Sequence, residues 1–294
     1  MKGLRLICPE CRRPAQVGET CECGFRLAQS GGILRALPET RRRHFSKFID
    51  DYKTIRHAEG RGSGDADYYR ALPLANGPHA SQWQIRAKTF RYFQSRLLPA
   101  EARWVLDLGS GNGWLSHKLS ELGHHPVGVD IFTDSLDGLE AALRYSDFPL
   151  VEAEFDCLPF EDSQFDLAIF NASLHYSNDY RLTLAEVRRC LRKTGRIFIL
   201  DSPLYKVREH GEMMQAERRV QFQQSYGFPS DSLASLEFLY EKQLSELAAA
   251  LGLRWRIHQP WYGLAWHLRP LRARFARRRP PSRFCILEAE LLAA

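Results

Sequence analysis

The sequence of 294 residues contains no apolar run of the roughly 18 residues that a membrane-spanning helix requires. Its first residues, MKGLRLICPEC, also lack the apolar stretch of about 7–15 residues that defines a signal peptide, so none is predicted. Without an export signal, the seven cysteines favour metal ligands or buried thiols over disulfides. The sequence therefore predicts a cytoplasmic protein without a transmembrane segment.

Acidic side chains are missing from residues 254–283, although this stretch contains nine arginines, which are densest between 269 and 279. The net charge of +6 comes from this stretch, because the remainder of the chain is slightly acidic. Trp261, Trp266 and Phe275 alternate with the arginines. Such a mixture suits the phosphates and stacked bases of RNA, and it also suits an anionic membrane surface. A solvated face above buried aromatic side chains explains the pattern equally well.

The pattern of elements divides the chain into three parts. Residues 1–38 hold four cysteines within sixteen residues. The segment is too short to bury a core alone, so we expect a bound metal ion to stabilise it. Residues 39–98 predict a helical linker and cap, with a loop rich in glycine and proline between two helices. In residues 99–294, seven short apolar strands alternate with amphipathic helices, which predicts an α/β domain with a doubly wound, Rossmann-like sheet.

A glycine-rich loop is the strongest signal in the sequence. Gly109, Gly111 and Gly113 lie in VLDLGSGNGWLS, after a predicted strand and before a predicted helix. Glycines at alternating positions let the backbone turn tightly and let a ligand lie against it. The junction of strand and helix is where a doubly wound sheet binds nucleotide-like ligands. The spacing is GxGxG after Asp107, which differs from the GxGxxG of dinucleotide-binding enzymes.

Polar residues also follow the next three predicted strands. The second strand ends at Asp130, which can accept hydrogen bonds from both hydroxyls of a ribose. The third leads into Asp156 and Cys157, and the fourth ends at Asn171. An acid at the end of the third strand can accept the amino group of adenine. Parallel strands share one carboxyl edge, so we expect these side chains to line it together.

The segments VLDLGSGNG, GVDI, AEFDCLPFEDSQFDLAIFNASLHY and LRKTGRIFILDSP together resemble the class I S-adenosylmethionine-dependent methyltransferases with a type 11-like domain, over about residues 100–202. The resemblance implies S-adenosylmethionine as methyl donor, with the methionine part near Asp107 and Gly109, the ribose at Asp130 and the adenine at Asp156. It implies nine donor-binding residues: Asp107, Gly109, Ser110, Gly111, Asp130, Ile131, Asp156, Cys157 and Asn171. A Rossmann-like oxidoreductase, or a sheet without a ligand, is the alternative.

The resemblance also implies a substrate lid at about residues 205–250. Its apolar wall would be formed by Met213, Met214, Phe222, Tyr226 and Phe228, although such a stripe is more often plain core.

Two further residues are candidates for the site. Arg86 follows Tyr68, Tyr69 and Trp83 in the segment that precedes the α/β domain. It is a candidate to bind the carboxylate of the methionine part, or it lies on a solvated helix face. His175 is a candidate general base, or it is a packing residue, and the sequence assigns no catalytic residue.

The four N-terminal cysteines form two pairs, Cys8-x2-Cys11 and Cys21-x-Cys23. Four thiolates suit tetrahedral Zn²⁺. The segment resembles the N-terminal zinc ribbon of some methyltransferases, including a bacterial family that methylates ribosomal RNA at guanine N1, but its second pair is one residue shorter than usual. Four reduced thiols in a loose tail are the alternative.

These patterns favour a methyltransferase that acts on a small or lipophilic metabolite at oxygen, nitrogen or carbon. The second interpretation is an RNA methyltransferase that holds RNA with the zinc ribbon and the arginines. The third is a donor-binding or scaffold protein without catalysis. Peripheral membrane contact is compatible with the first interpretation, and the sequence does not identify the acceptor or the oligomeric state. RNA binding would weaken steeply with salt, whereas binding of a small apolar acceptor would not.

Overall fold

The computed structural model describes residues 3–74 and 77–292. The strands of these residues, in chain order, are β1 Leu6–Ile7, β2 Pro14–Ala15, β3 Ala28–Ser30, β4 Ile33–Arg35, β5 Trp104–Leu108, β6 His125–Asp130, β7 Leu150–Glu152, β8 Phe165–Asn171, β9 Leu191–Leu200, β10 Leu204–Tyr205, β11 Leu239–Tyr240, β12 Leu253–His258 and β13 Ile286–Leu291.

The helices, again in chain order, are α1 Glu39–Ala58, α2 Ala66–Ala71, α3 Ala80–Arg96, α4 Trp114–Glu121, α5 Leu139–Ala142, α6 Tyr180–Cys190, α7 Arg208–Tyr226, α8 Glu241–Leu251, α9 Leu264–His267 and α10 Arg269–Phe275, with a 3₁₀ turn at Leu174–Tyr176. Within the described ranges, none of these helices has both the length and the apolar composition needed to cross a membrane.

One large sheet has the strand order β12-β13-β9-β8-β5-β6-β7-β4-β3. Strands β4 to β9 run parallel, and β13 is antiparallel between β9 and β12. The chain winds in one direction from β5 through β6 to β7 and in the other from β8 onward, so β5 and β8 flank the topological switch point. The predicted α/β fold is confirmed, and its seven strands are β5 to β9, β12 and β13.

The N-terminal segment extends this sheet by two strands. Strand β4 pairs in parallel with β7, where Ile33 lies opposite Leu150, and β3 pairs with β4. Ile33 and Leu34 are both buried, and they join the apolar clusters on opposite faces of the sheet. A strand covered on both faces is typical of a parallel sheet interior. The division of the chain at residue 38 stays a prediction.

One predicted helix is shorter in the structure. The sequence predicts a helix over DSLDGLEAALRY, but only Leu139–Ala142 is helical. The carboxylate of Asp134 accepts hydrogen bonds from the backbone N–H groups of Leu136 and Asp137. Such a side-chain turn competes with helix formation, so the helix begins after Gly138.

Candidate functional site

The loop between β5 and α4 requires glycine at two of its positions, Gly109 and Gly113. Gly109 has φ of 73°, and an added Cβ would lie 2.3 Å from Cβ of Ser173. Gly113, at the start of α4, has φ of 77°, and its added Cβ would lie 2.8 Å from Cβ of Ala142. Side chains rarely adopt this left-handed backbone, and here they would also clash with neighbours. The loop therefore runs close to the ends of β5 and β8.

Asp130 connects the end of β6 to this loop. Its Oδ2 accepts a hydrogen bond from the N–H of Gly111 and its Oδ1 one from the N–H of Phe132, both at 2.8 Å. Burial raises the pKa of Asp130 to about 6, although these backbone donors oppose the shift. Each carboxylate oxygen has a second lone pair, so Asp130 can accept two more hydrogen bonds from a ligand.

Asp107, at the end of β5, is completely buried. Its Oδ2 accepts a hydrogen bond from Oγ of Ser116 at 2.7 Å. Within the described residues, neither its Oδ1 nor Oγ of Ser110 has a hydrogen-bond partner. Burial raises the pKa of Asp107 to about 7, and the nearby Asp130 contributes to the shift. Buried polar atoms without partners are costly, so they fit a polar ligand beside the loop.

A cavity of about 830 Å³ opens at the carboxyl edge of the sheet. It brings together eight of the nine donor-binding residues that the resemblance implied: Asp107, Gly109, Ser110, Gly111, Asp130, Ile131, Asp156 and Asn171. Cys157 is not among its lining residues. Its Sγ instead donates to the carbonyl of Pro9 at 3.0 Å, because the loop after Asp156 is covered by the N-terminal segment. The carboxylate of Asp156 accepts a hydrogen bond from Oγ1 of Thr183.

Helix α1 contributes an ion pair beside the glycine loop that the sequence did not predict. Arg56 pairs with Asp137, and both side chains line the cavity. The other oxygen of Asp137 accepts a hydrogen bond from Nδ2 of Asn112 at 3.0 Å. These two contacts, Arg56 to Asp137 and Asp137 to Asn112, connect α1 to the glycine loop. Each residue alone resembles an ordinary surface charge in the sequence, so only their contact in the fold shows it.

Aromatic side chains form a second part of the cavity lining. Tyr52 of α1 packs edge to face on Tyr176, with ring centroids 5.9 Å apart. On the other side, Trp266 packs between Tyr262 and Phe284, with centroid distances of 5.3 and 5.4 Å. All five rings line the cavity. A cavity lined by both polar groups and aromatic rings suits a donor and an acceptor of different polarity.

The predicted lid residues do not form this wall. Met213, Met214, Phe222, Tyr226 and Phe228 are not among the described residues that line the cavity. Phe222, Tyr226 and Phe228 instead contact one another at the end of α7. The region after β9 contributes Pro203 and Leu233 to the cavity, and α1, the 3₁₀ turn at Leu174–Tyr176 and residues 262–284 provide the five aromatic rings.

Arg86 of α3 points its charge into the cavity. Its guanidinium lies 5.0 Å from the ring centroid of Trp83 and has no hydrogen-bond or ion-pair partner among residues 3–74 and 77–292. Burial lowers the pKa of Arg86 and raises the pKa of Asp201, which accepts a hydrogen bond from Oγ1 of Thr89 at 2.6 Å. A buried guanidinium without a partner suits the carboxylate of a ligand.

His175 also lines the cavity, but its environment opposes a role as a base. Its Nδ1 lies 3.3 Å from Oγ of Ser202. Burial, together with the charges of Arg218 and Arg86, lowers the pKa of His175 to about 3. The ring is therefore neutral at pH 7 and a weak proton acceptor.

The four N-terminal cysteines meet at one point. Their sulfur atoms all lie within 4.8 Å of one another. Sγ of Cys8 is 3.5 Å from Sγ of Cys23, and Sγ of Cys11 is 3.4 Å from Sγ of Cys21. A tetrahedral zinc ion with bonds of about 2.3 Å places its sulfurs about 3.8 Å apart. The short Cys21-x-Cys23 spacing therefore does not keep the two pairs from converging.

Comparison with known proteins agrees with this geometry. Residues 106–199 match the family model of a methyltransferase domain. This part of the chain is therefore similar to a methyltransferase domain. The matched residues include the glycine loop, Asp130, Asp156 and Asn171, which belong to the polar part of the cavity lining.

Several curated proteins are similar to parts of the chain. An uncharacterized methyltransferase of Mycobacterium tuberculosis is 36% identical over 52% of the chain and 58% of that protein. The malonyl-[acyl-carrier protein] O-methyltransferase of Erwinia pyrifoliae is 29% identical over 44% and 50%. The demethylmenaquinone methyltransferase of Corynebacterium kroppenstedtii is 33% identical over 37% and 45%. The chain thus spans about half the length of these relatives.

A solved structure shows the same fold. The YcgJ protein of Bacillus subtilis superposes with a TM-score of 0.53, at 18% identity, over 71% of this chain and all of that chain. At this level of identity the likeness concerns the fold of the methyltransferase domain and not its substrate.

Proposed function

We propose that the protein is an S-adenosylmethionine-dependent methyltransferase that acts on a small or lipophilic metabolite. One observation carries the proposal. The cavity combines a polar lining, formed by the glycine loop and three strand-end acids, with aromatic rings from α1, the 3₁₀ turn at Leu174–Tyr176 and residues 262–284. Such a cavity has room for a nucleoside-type donor and an apolar acceptor side by side.

The residues at the polar end fit the donor. Asp130 has free lone pairs for the two ribose hydroxyls, and Asp156, which also lines the cavity, would accept the adenine amino group. The oxygen of Asp107 without a partner and the unpaired Arg86 match the ammonium and the carboxylate of the methionine part. When bound, S-adenosylmethionine supplies a methyl group on a positively charged sulfur, which a nucleophile attacks.

The acceptor end works by position and by exclusion of water. Tyr52, Tyr176 and Trp266 give it an apolar lining, so an acceptor with an aromatic or aliphatic body gains hydrophobic contact there. His175 is neutral and a weak base. The site therefore favours an acceptor whose nucleophilic atom already has an available electron pair, held in line with the methyl group.

We further propose that Cys8, Cys11, Cys21 and Cys23 hold one structural zinc ion. Four sulfurs without another ligand type close the coordination sphere, which is the pattern of structural and not catalytic zinc. The metal would then fix the two turns of the N-terminal segment.

Native mass spectrometry of freshly purified protein tests both proposals. We expect one zinc ion per chain, and an adduct of S-adenosylmethionine or S-adenosylhomocysteine either co-purified or formed on addition. A nicotinamide dinucleotide adduct would instead favour the oxidoreductase alternative. Failure to bind S-adenosylhomocysteine at millimolar concentration would contradict the proposed donor.

A further inference from the structure

Residues 261–279, here named the arginine-rich segment, expose a row of apolar side chains. Helices α9 and α10 meet at Leu268, whose N–H donates to the carbonyl of Leu264 and whose carbonyl accepts from Arg272, both at 3.0 Å. Leu264, Leu268, Leu271 and Phe275 are spaced by four, three and four residues, so they share one face of this helical segment. Their exposed fractions are 71%, 43%, 49% and 80%. A continuous exposed stripe of this kind marks an interaction surface.

Arginines surround this apolar stripe. Arg272 and Arg274 lie on opposite sides of it by helical periodicity, and Arg277 and Arg278 follow the helix directly. These four side chains have no acidic partner within the described ranges 3–74 and 77–292. The segment itself contains no acidic residue. The surface is therefore both apolar and positively charged.

The inner side of the segment is attached to the protein body. Nζ of Lys88 donates to the carbonyl of Tyr262 at 2.8 Å, and Nη2 of Arg269 donates to the carbonyl of Ser282 at 2.9 Å. Tyr262 and Trp266 line the cavity. The helix thus has a fixed orientation, with its aromatic side on the cavity and its apolar stripe in solvent.

The chemistry of the surface separates the candidate partners. A second copy of the chain would bring two strongly positive surfaces together, which is unfavourable. A nucleic acid would neutralise the arginines but leave Leu264, Leu268 and Leu271 in water. An anionic bilayer meets both requirements, because apolar side chains enter the boundary of the acyl chains while arginines reach the phosphates.

We infer that the arginine-rich segment docks the protein on a bilayer containing anionic phospholipids. Docking places the cavity wall that Tyr262 and Trp266 form beside the membrane. The next step rests on the proposed function: the acceptor is a lipid-soluble compound that enters the cavity from the bilayer. The docking itself does not depend on methyl transfer, so the two can be tested separately.

Vesicle flotation tests the docking directly. Vesicles of phosphatidylglycerol and phosphatidylcholine are compared with vesicles of phosphatidylcholine alone, without donor. The full chain should float with the anionic vesicles and much less with the neutral ones. The double variant Arg272→Gln/Phe275→Ser should lower the partition coefficient by about tenfold or more, since it removes one charge and one inserted apolar side chain.

A matched control removes one arginine and one exposed apolar side chain elsewhere. Arg181→Gln/Leu182→Ser lies on α6, where Leu182 is 58% exposed. This variant should float like the wild type. Equal flotation of the two double variants, equal binding to neutral vesicles, or no flotation of the wild type would overturn the inference.

Two parallel measurements separate the remaining explanations. Binding of a single-stranded RNA that exceeds binding to vesicles, with a steep loss in salt, would overturn the inference in favour of RNA. Calorimetry with S-adenosylhomocysteine should give the same affinity for the wild type and Arg272→Gln/Phe275→Ser. If the wild type does not bind S-adenosylhomocysteine, the proposed function is contradicted. The flotation result would still show whether the arginine-rich segment docks on anionic vesicles.

Discussion

Arg12, in the N-terminal segment, donates two hydrogen bonds to the carboxylate of Glu186 on α6, at 2.7 and 2.9 Å. The same carboxylate accepts from the N–H of Leu158 at 2.8 Å. Leu158 follows Asp156 and Cys157, the loop that the resemblance assigns to adenine. The arrangement links the cysteine cluster to the proposed donor site through one buried acid.

Replacing Arg12 with Met should therefore weaken donor binding as well as stability. Removal of the two charged hydrogen bonds leaves Arg189 as the only charged partner of Glu186 among the described residues, at a cost of about 1–3 kcal/mol in the free energy of unfolding. The loop at Asp156 becomes less ordered, so we expect a several-fold weaker affinity for S-adenosylhomocysteine. Urea unfolding and calorimetry measure the two effects.

Arg13→Met is the control, because Arg13 pairs only with the exposed Glu22 among the described side chains. It should leave donor affinity unchanged. If Arg12→Met and Arg13→Met bind S-adenosylhomocysteine equally well, the link between the N-terminal segment and the donor site is wrong.

Acid should weaken the same link. Burial alone would raise the pKa of Glu186, but hydrogen bonds from Arg189 and Arg12 outweigh it and lower the pKa below its ordinary value. A lowered pKa in the folded state contributes stability above the unfolded pKa, and this contribution is lost as pH falls through the folded value. The difference in unfolding free energy between wild type and Glu186→Gln should thus shrink on acidification below about pH 4.5. A difference that stays constant from pH 7 to pH 3 would contradict this account.

Removal of the metal should affect more than the N-terminal segment. Strands β3 and β4 belong to the large sheet, so their loss turns the interior strand β7 into an exposed edge and uncovers the buried Ile33 and Leu34. We expect Cys8→Ser and Cys23→Ser to lose zinc by elemental analysis and to lower the melting temperature of the sheet domain itself. Cys285→Ser, at a buried cysteine outside the cluster, should keep the zinc. Zinc content below about a tenth of an ion per wild-type chain would contradict the structural site.

Donor affinity should fall as the pH is lowered from 7.5 to 5. Burial raises the pKa of Asp130 to about 6, so acidification protonates it in the donor-free protein. A protonated carboxyl can no longer accept hydrogen bonds at every position where the ribose hydroxyls would donate. Calorimetry at several pH values measures the trend, and the variant Asp130→Ala should lose the part that depends on Asp130. An affinity that does not change over this range would contradict a ribose contact.

His175→Gln should keep most of the turnover, within about tenfold. The ring is neutral and weakly basic, whereas a general base contributes about 10²- to 10⁴-fold. The glutamine amide can replace the hydrogen bond to Ser202. Steady-state kinetics with an identified acceptor measures the change. A loss of more than about 100-fold in kcat, with KM unchanged, would show that His175 acts as the base.

The fold and the polar end of the cavity could be predicted from the sequence because their signals are local. The glycine loop, each apolar strand and the acid at its end are each recognised from a few consecutive residues. The parallel arrangement of the strands then brings the glycine loop and the acids to one edge of the sheet. The aromatic end could not be predicted in this way. Tyr52, Tyr176 and Trp266 lie far apart in the sequence, and an aromatic residue looks the same whether it lines a cavity or a core.

The pairing of β4 with β7 was missed for a related reason. Ile33 and Leu34 form a run too short to distinguish a sheet strand from the exit of a small metal ribbon. Only the tertiary contact with Leu150 and Val151 identifies it as part of the large sheet. The ion pair between Arg56 and Asp137 likewise joins residues from two elements whose separate patterns gave no indication of contact.

Calorimetric titration of S-adenosylhomocysteine into wild type and Asp130→Ala tests the central claim most directly. We predict saturable binding to the wild type and a loss of about 30- to 150-fold in Asp130→Ala, which corresponds to about 2–3 kcal/mol for two hydrogen bonds to a carboxylate. The control Asp67→Ala removes an acid whose side chain is 83% exposed, and it should bind like the wild type. Equal affinity of wild type and Asp130→Ala, or no binding to the wild type, would contradict the assignment of the donor site.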